Sequence, residues 1–425
     1  MKKVKVKKIS KCRICNNKIF FEVIDLGKQP ISNQFISKNN QDIIIYEGAP
    51  LMLIKCTKCG LVQLHHTVKN DQIYREYWYR SGINKTMQKA LLDIKNTAEN
   101  NIKLKKDDLI VDIGCNDGTL LNFFDNQKFN LIGFDPALNL SSKKEKFKRV
   151  KNYFSYKNFD NLKLNKKAKL ITSIAMFYDL DNPNKFVTDI EKVLDDDGLW
   201  IVQFADLHEM LISNMYDQII HEHLEYYHLK PLEYLFKKNN LKIVKIEKNN
   251  VNGSSYRLFI RKNSKKFSLD KSVKKFQIIE KNAKLENKKI YSKFRNQIQK
   301  SKKNLIILVN NINKKNKIVF GLGASTKGNV ILNYCGFSRL DIPFLVDRNI
   351  RKRNCKAIGS EIPIITEDKS KILKPDYFLL LPYFFKNEII KRENIFLKNG
   401  GKIIIPLPSP KVIYYKKNKI IEEIL

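Results

Sequence analysis

The sequence predicts an α/β protein, because two separate stretches each run strand, glycine turn, helix, and a short cysteine-bearing module precedes them both. The first stretch is LIVDIGCNDGTLLNFF from Leu109 and the second is KIVFGLGASTKGN from Lys317. At 425 residues the chain has room for about two to three domains. The reading divides it into a cysteine module over 1–70, a main sheet over 71–265, a helical connector over 266–316 and a second α/β unit over 317–425.

Taken in order, the first unit holds Cys12-Arg13-Ile14-Cys15 and Cys56-Thr57-Lys58-Cys59. Two intervening residues let a pair of thiolates on a tight knuckle face one tetrahedral ion at about 2.3 Å. Two such pairs complete a four-sulfur zinc shell and leave no open position for chemistry, which favours structural zinc over a redox use of either pair. Strands are expected at Ile43 to Tyr46 and Pro50 to Lys55 between the pairs. With four thiolates present, His65 and His66 read as ordinary residues, and Cys115, Cys335 and Cys355 as plain thiols.

In the second unit the apolar run Leu109 to Ile113 suits a buried parallel strand, and Gly118 to Phe124 resumes helical spacing. The next strand, Asn130 to Phe134, ends in Asp135-Pro136, near the offset at which doubly wound folds place a carboxylate on a ribose. The spacing of Gly114 and Gly118 is neither the dinucleotide GxGxxG nor a phosphate loop, so an adenosine ligand without a pyrophosphate is the better fit. A purely structural strand-to-helix turn is the competing reading. A strand from Leu170 to Ala175, a helix from Pro183 to Leu194 and a strand from Leu199 to Phe204 continue the alternation. The densest acid–base cluster follows, with His221, Glu222 and His223 among Tyr216, Tyr226 and Tyr227. Its spacing is not HExxH, and it falls after the strand Leu199 to Phe204, at the rim where open sheets bind substrates.

Between Phe267 and Lys315, apolar residues at helical intervals and no proline predict one or two long helices. The last unit begins with a strand from Lys317 to Phe320 and a glycine turn through Gly321 and Gly323. Strands at Phe344 to Val346, Tyr377 to Leu381 and Lys402 to Ile405 follow. Its helix start is an anion-friendly amino terminus, yet glycine turns also recur for packing alone, and both readings stand.

The chain carries 80 Lys+Arg against 43 Asp+Glu, a net charge of +37. Most cations are Lys scattered along the chain, which reads as a solvated surface rather than a polynucleotide site. A hydrophobic content of 43% excludes a disordered basic tail. The longest apolar run, Tyr377 to Phe385, falls far short of the ~18 residues of a membrane helix. The MKKVKVKKIS start has no following apolar segment and so is not a signal peptide, and a cytoplasmic monomer is expected.

The strand Leu109 to Ile113 with Gly114 and Gly118 resembles the first motif of class I S-adenosylmethionine-dependent methyltransferases. The whole constellation resembles the sugar C-methyltransferases of deoxysugar pathways. It comprises the four cysteines, Leu26-Gly27, Tyr77 to Gly82, Asp112 to Leu121, His221 to His223, Asn252 to Arg257, Gly321 to Asn329 and Pro406-Leu407-Pro408. The resemblance implies a class I methyltransferase sheet between a small zinc-binding domain and a second Rossmann-like domain. It implies S-adenosylmethionine held around Asp112, Gly114, Asn116, Asp117, Gly118, Asp135 and Pro136, and structural zinc at Cys12, Cys15, Cys56 and Cys59. The implied reaction is methylation of a nucleotide-linked keto-deoxysugar at a carbon beside its ketone. His223 would be the base, Glu222 would orient sugar hydroxyls, and Tyr79 and His221 would donate around the developing oxyanion. Three positions depart from the antibiotic-sugar members. Ile220 replaces a tyrosine, Phe177-Tyr178-Asp179 lacks a histidine, and Tyr383-Phe384-Phe385 replaces tryptophan-histidine-phenylalanine. O- or N-methylation of a related molecule is the alternative within enzymes, and a basic zinc-containing nucleic-acid-binding protein is the alternative outside them.

Overall fold

The computed structural model describes residues 4–37, 47–140, 145–417 and 419–424. The expected strand at Ile43 to Tyr46 lies outside the described residues. In the main sheet the strands lie side by side in the order Leu241–Asn249, Ser255–Lys262, Leu194–Ala205, Ala168–Ile174, Leu109–Ile113, Asn130–Phe134 and Lys148–Val150. Neighbouring strands run parallel except Ser255–Lys262, which is antiparallel to both of its neighbours. The central strands are apolar throughout because both faces are covered. Alternate side chains explain how: Val111, Ile171 and Val202 pack on one side, while Ile110, Leu170 and Ile201 pack on the other.

The helix expected over Gly118 to Phe124 shrinks to a single 3-10 turn at Leu121–Phe123. Asp125 ends it: its side chain accepts from the Gln127 amide at 2.9 Å and diverts the backbone into a turn before the next strand. The strand expected from Leu199 begins earlier, at Leu194, with a register shift beside Gly198. The helix at Pro183–Val193 starts as expected, its Asn182 side chain accepting from the Lys185 amide at 3.0 Å.

The cysteine module contributes a four-stranded antiparallel sheet ordered Glu225–Tyr226, Val62–Leu64, Ala49–Cys56 and Phe20–Gln29. Its outer strand therefore comes from the segment just after His223. The second α/β sheet is ordered Ile364–Ile365, Leu345–Val346, Val319–Leu322, Tyr377–Leu380, Lys402–Ile405, Lys411–Lys416 and Lys419–Ile424, the last two strands antiparallel. The connector folds as helices Lys271–Ala283 and Lys288–Lys314. The longer one buries Tyr291, Phe294, Ile298, Leu305 and Val309 in a core shared with Val23, Leu53 and Leu379. Arg295 on this helix donates to the Val23 and Glu22 carbonyls at 2.8 Å each, so it also braces the cysteine module. Among the described residues no helix is long and apolar enough to cross a membrane.

Candidate active site and zinc centre

Cys12 and Cys15 sit on one turn and Cys56 and Cys59 on another, and one ligand atom from each lies within 4.8 Å of all the others. The Cys12 and Cys59 sulfurs are 3.6 Å apart and those of Cys15 and Cys56 are 3.5 Å apart, too far for a disulfide. A tetrahedron with Zn–S of about 2.3 Å has edges of about 3.8 Å, so the four sulfurs already outline a zinc shell. The geometry fits zinc and leaves the redox alternative without support. Elemental analysis of purified protein is expected to give about one zinc per chain. Metal-free protein carrying a Cys12–Cys15 disulfide is the outcome that would overturn this.

A cavity of about 580 Å³ opens at the carboxyl ends of the main strands and extends to the second α/β unit. Its cofactor end is lined by Asp112, Gly114, Asn116, Asp135 and Pro136. Gly114 has φ +75°, and an added Cβ would lie 2.9 Å from the Met176 side chain, so only glycine lets this backbone pass. The Asp135 carboxylate is fixed by the Asn116 amide at 2.8 Å and the Ala137 amide at 2.9 Å, which leaves lone pairs for two hydroxyls. Asp112 accepts from the Thr172 hydroxyl at 2.6 Å, and burial pushes its carboxyl up to about 7. A nucleoside without phosphates fits this end. Asp117 and Gly118, expected beside the cofactor, are not among the lining residues. Asp117 instead accepts from the Gly82 amide at 2.8 Å, and Gly118 lies against the Phe147 ring.

The other end is lined by Tyr74, Tyr77, Tyr178, Asp179, Glu222 and His223, with Tyr79 and Ile220. His223 donates from Nδ1 to the Gln218 carbonyl at 2.9 Å, which fixes the tautomer and leaves a lone pair on Nε2. Tyr178 packs on its ring with centroids 4.3 Å apart. Burial, and then the Lys327 charge, push His223 down to about 3, so the imidazole is neutral rather than poised near 6.5 as its residue type suggests. Burial pushes Glu222 up to about 7, and its Oε1 accepts from Asn33 Nδ2 at 3.0 Å. Burial and the nearby Glu222 push Asp179 well up as well. Tyr178 and Asp179 thus occupy the stretch where the resemblance leads one to expect a histidine.

His221 departs from expectation. Its Nε2 donates to the Ala49 carbonyl at 3.1 Å, and it is not among the lining residues, so it ties the turn to the cysteine module instead of reaching an oxyanion. Tyr79 lines the cavity but stays 45% exposed, at the mouth. For the second α/β unit a ligand-contacting and a packing role both stood in the sequence, and Lys327, Phe384 and Phe385 from it enter the same cavity, although Lys327 was not singled out as a site residue. Lys327 was legible only as the cation after the turn Ala324-Ser325-Thr326. Tyr383 donates to Asp217 Oδ1 at 2.8 Å and clamps this unit to the main one. Gly323, with φ +87°, would place a Cβ 2.6 Å from the Pro382 ring, so the glycine turn serves close packing, while Ser325, Thr326 and Lys327 just after it line the cavity.

Three family models match the chain in the order of its units. They are a zinc-binding domain over residues 12–74, a methyltransferase domain over 83–246 and a C-methyltransferase C-terminal domain over 250–408. The C-methyltransferase NovU of Streptomyces niveus is 27% identical over 411 residues, covering 96% of this chain and 98% of its own. Two solved structures match 43% of the chain. An S-adenosylmethionine-dependent methyltransferase from Clostridium acetobutylicum is 14% identical, with 94% of its own chain covered and a TM-score of 0.32. The PH0226 protein of Pyrococcus horikoshii is 15% identical, with 94% covered and a TM-score of 0.35. The domain matches and the cavity define an S-adenosylmethionine-dependent methyltransferase with a zinc-binding module. Along nearly its whole length the chain is similar to a C-methyltransferase, and its three units match the zinc-binding, methyltransferase and C-methyltransferase C-terminal models in that order.

Proposed function

We propose that this enzyme methylates a nucleotide-linked keto-deoxysugar at a carbon adjacent to its ketone. The observation that carries the reading is the cavity itself, where a fixed carboxylate for a ribose and a neutral imidazole with a free Nε2 face one enclosed volume. A ketone-adjacent carbon is not nucleophilic until a base removes its proton, whereas an O- or N-acceptor needs no enolate stabilisation. When bound, S-adenosylmethionine supplies an electrophilic methyl on a sulfonium centre that leaves as a neutral thioether. Asp135 and the Gly114 backbone hold that cofactor, with Asp112 behind them. His223 Nε2 takes the proton, Glu222 holds sugar hydroxyls with Asn33 fixing its carboxyl, and Tyr79 closes the mouth. The buried tyrosines exclude water, so that positioning supplies much of the rate. The cysteines, none of them in a disulfide, are consistent with a cytoplasmic setting.

The test is to incubate the protein with ¹³C-methyl-labelled S-adenosylmethionine and a panel of nucleotide-linked keto-deoxysugars and to read the product by NMR. A new carbon–methyl bond beside the ketone is expected, with solvent deuterium exchanging into that carbon before transfer. A methyl ether or methylamine product without exchange would replace the proposal by O- or N-transfer.

A further inference from the structure

We propose that Lys327, from the second α/β unit, is a catalytic residue that holds the substrate ketone oxygen and stabilises the enolate oxyanion. The inference rests on the keto-sugar reading above and adds a charged electrophilic partner to it, His221 being turned away and Tyr79 standing at the mouth. Lys327 stands in the first turn of the helix Thr326–Cys335, whose Ser325 cap accepts from the Gly328 amide at 2.9 Å, and it lines the cavity beside Ser325 and Thr326. Among the described residues its ammonium makes no hydrogen bond and no ion pair within 4 Å. It lies over the face of Phe384, 4.7 Å from the ring centroid. Asp217 and Glu222 act on it through space, while enclosure pushes it down to about 8. An ammonium held in a cavity with its three donors unused is matched to an oxygen that arrives with substrate.

The placement is rigid. Next but one on the same helix, Asn329 donates to the Ser32 carbonyl at 2.7 Å, and the adjoining Asn33 donates to Glu222. One loop of the cysteine module thus spans from the Lys327 helix to the acid–base turn. Lys327 is also close enough to His223 to oppose its protonation. During enolisation the C–H bond breaks and its proton goes to His223 Nε2. The C–H electron pair becomes the C=C bond, and the carbonyl π pair moves to oxygen. That oxyanion beside Lys327 cancels the repulsion on the forming imidazolium, so the two charges of the step stabilise each other. When the carbon is methylated, the C=C pair forms the new C–CH3 bond as the methyl's bond to sulfur breaks and leaves its pair on sulfur, the oxygen pair returns to the C=O bond and the proton on His223 leaves to solvent.

Lys327→Met is the direct test, read with the labelled sugar assay. Both kcat and the deuterium exchange rate are expected to fall by about 10²–10³-fold. KM for the sugar should stay within about threefold, and affinity for S-adenosylmethionine should be unchanged. Lys327→Ala supplied with ethylammonium should recover exchange, which a purely structural lysine would not allow. A rise in KM with kcat kept would overturn the proposal and assign Lys327 to the substrate diphosphate. Loss of cofactor affinity without amine rescue would overturn it in favour of a packing role, and unchanged kinetics would overturn it outright. Wild-type protein inactive on every keto sugar, with neither exchange nor transfer, would remove the underlying substrate reading itself, a result distinct from failure of the variant alone.

Discussion

Replacing His223 by phenylalanine is expected to lower kcat by about 10²–10⁴-fold, the usual contribution of a positioned proton acceptor. Phenylalanine keeps the ring that packs on Tyr178 and so separates the loss of Nε2 from a loss of packing. The cofactor end is built from other strands, so the dissociation constant for S-adenosylmethionine should stay within about twofold of wild type. Single-turnover methyl transfer and calorimetric titration with cofactor check the two halves of the statement. The pH dependence of kcat/KM, which reports the free enzyme, is part of the same expectation. His223 is held near 3, below its unfolded value of about 6.5, so its lone pair is present above pH 3 and lost only as pH falls through that value. An acid limb near pH 6.5 should therefore be absent from its contribution. A variant retaining kcat within about threefold would move the base role to Glu222, whose carboxyl lies near 7.

The four central strands of the main sheet were legible because they are buried on both faces and read as apolar runs, and Leu109–Ile113 and Asn130–Phe134 fall where the sequence puts them, whereas the partly exposed Lys148–Val150 and Leu241–Asn249 and their antiparallel neighbour Ser255–Lys262 were not expected. The four cysteines were legible because ligand spacing is local. Two kinds of feature were not. Gly118 to Phe124 has helical spacing, but an aspartate turn at 125 stops it after one turn, a competition between side chain and backbone that periodicity does not register. The direction a side chain faces was the second. His221 and His223 are two residues apart on one turn, yet one reaches Ala49 and the other the cavity. Lys327 lies 104 residues from His223 in the chain (327 − 223 = 104), and only the docking of two sheets brings them together.

Arg13→Met should destabilise the protein by about 2–3 kcal/mol, the range for losing buried hydrogen bonds from a charged donor and leaving their acceptors unsatisfied. Arg13 stands between two zinc ligands in sequence, yet its guanidinium turns inward, with only 2% of its side chain exposed. Nη1 donates to the Leu64 carbonyl at 2.7 Å and to Gln63 Oε1 at 3.3 Å, and Nη2 donates to the Thr67 hydroxyl at 2.7 Å. Nε lies 3.6 Å from Glu225 Oε1, and Glu225 is two residues beyond His223 on the strand that completes the cysteine-module sheet. The same knuckle is held from the methyltransferase side, because Asn184 Nδ2 donates to the Arg13 and Ile14 carbonyls at 2.7 and 3.0 Å. Methionine fills the volume but strands several acceptors, so the urea midpoint should fall with the m value unchanged. Glu225→Gln is the contrasting variant. Burial pushes the Glu225 carboxyl well up, and a neutral isostere should cost about 1 kcal/mol or less. Zinc should remain at one per chain in both variants, because neither removes a thiolate. A fall in kcat for Arg13→Met with zinc still bound would then trace to the turn carrying His223. The zinc module would act on catalysis through the sheet it shares with that turn, rather than through the metal.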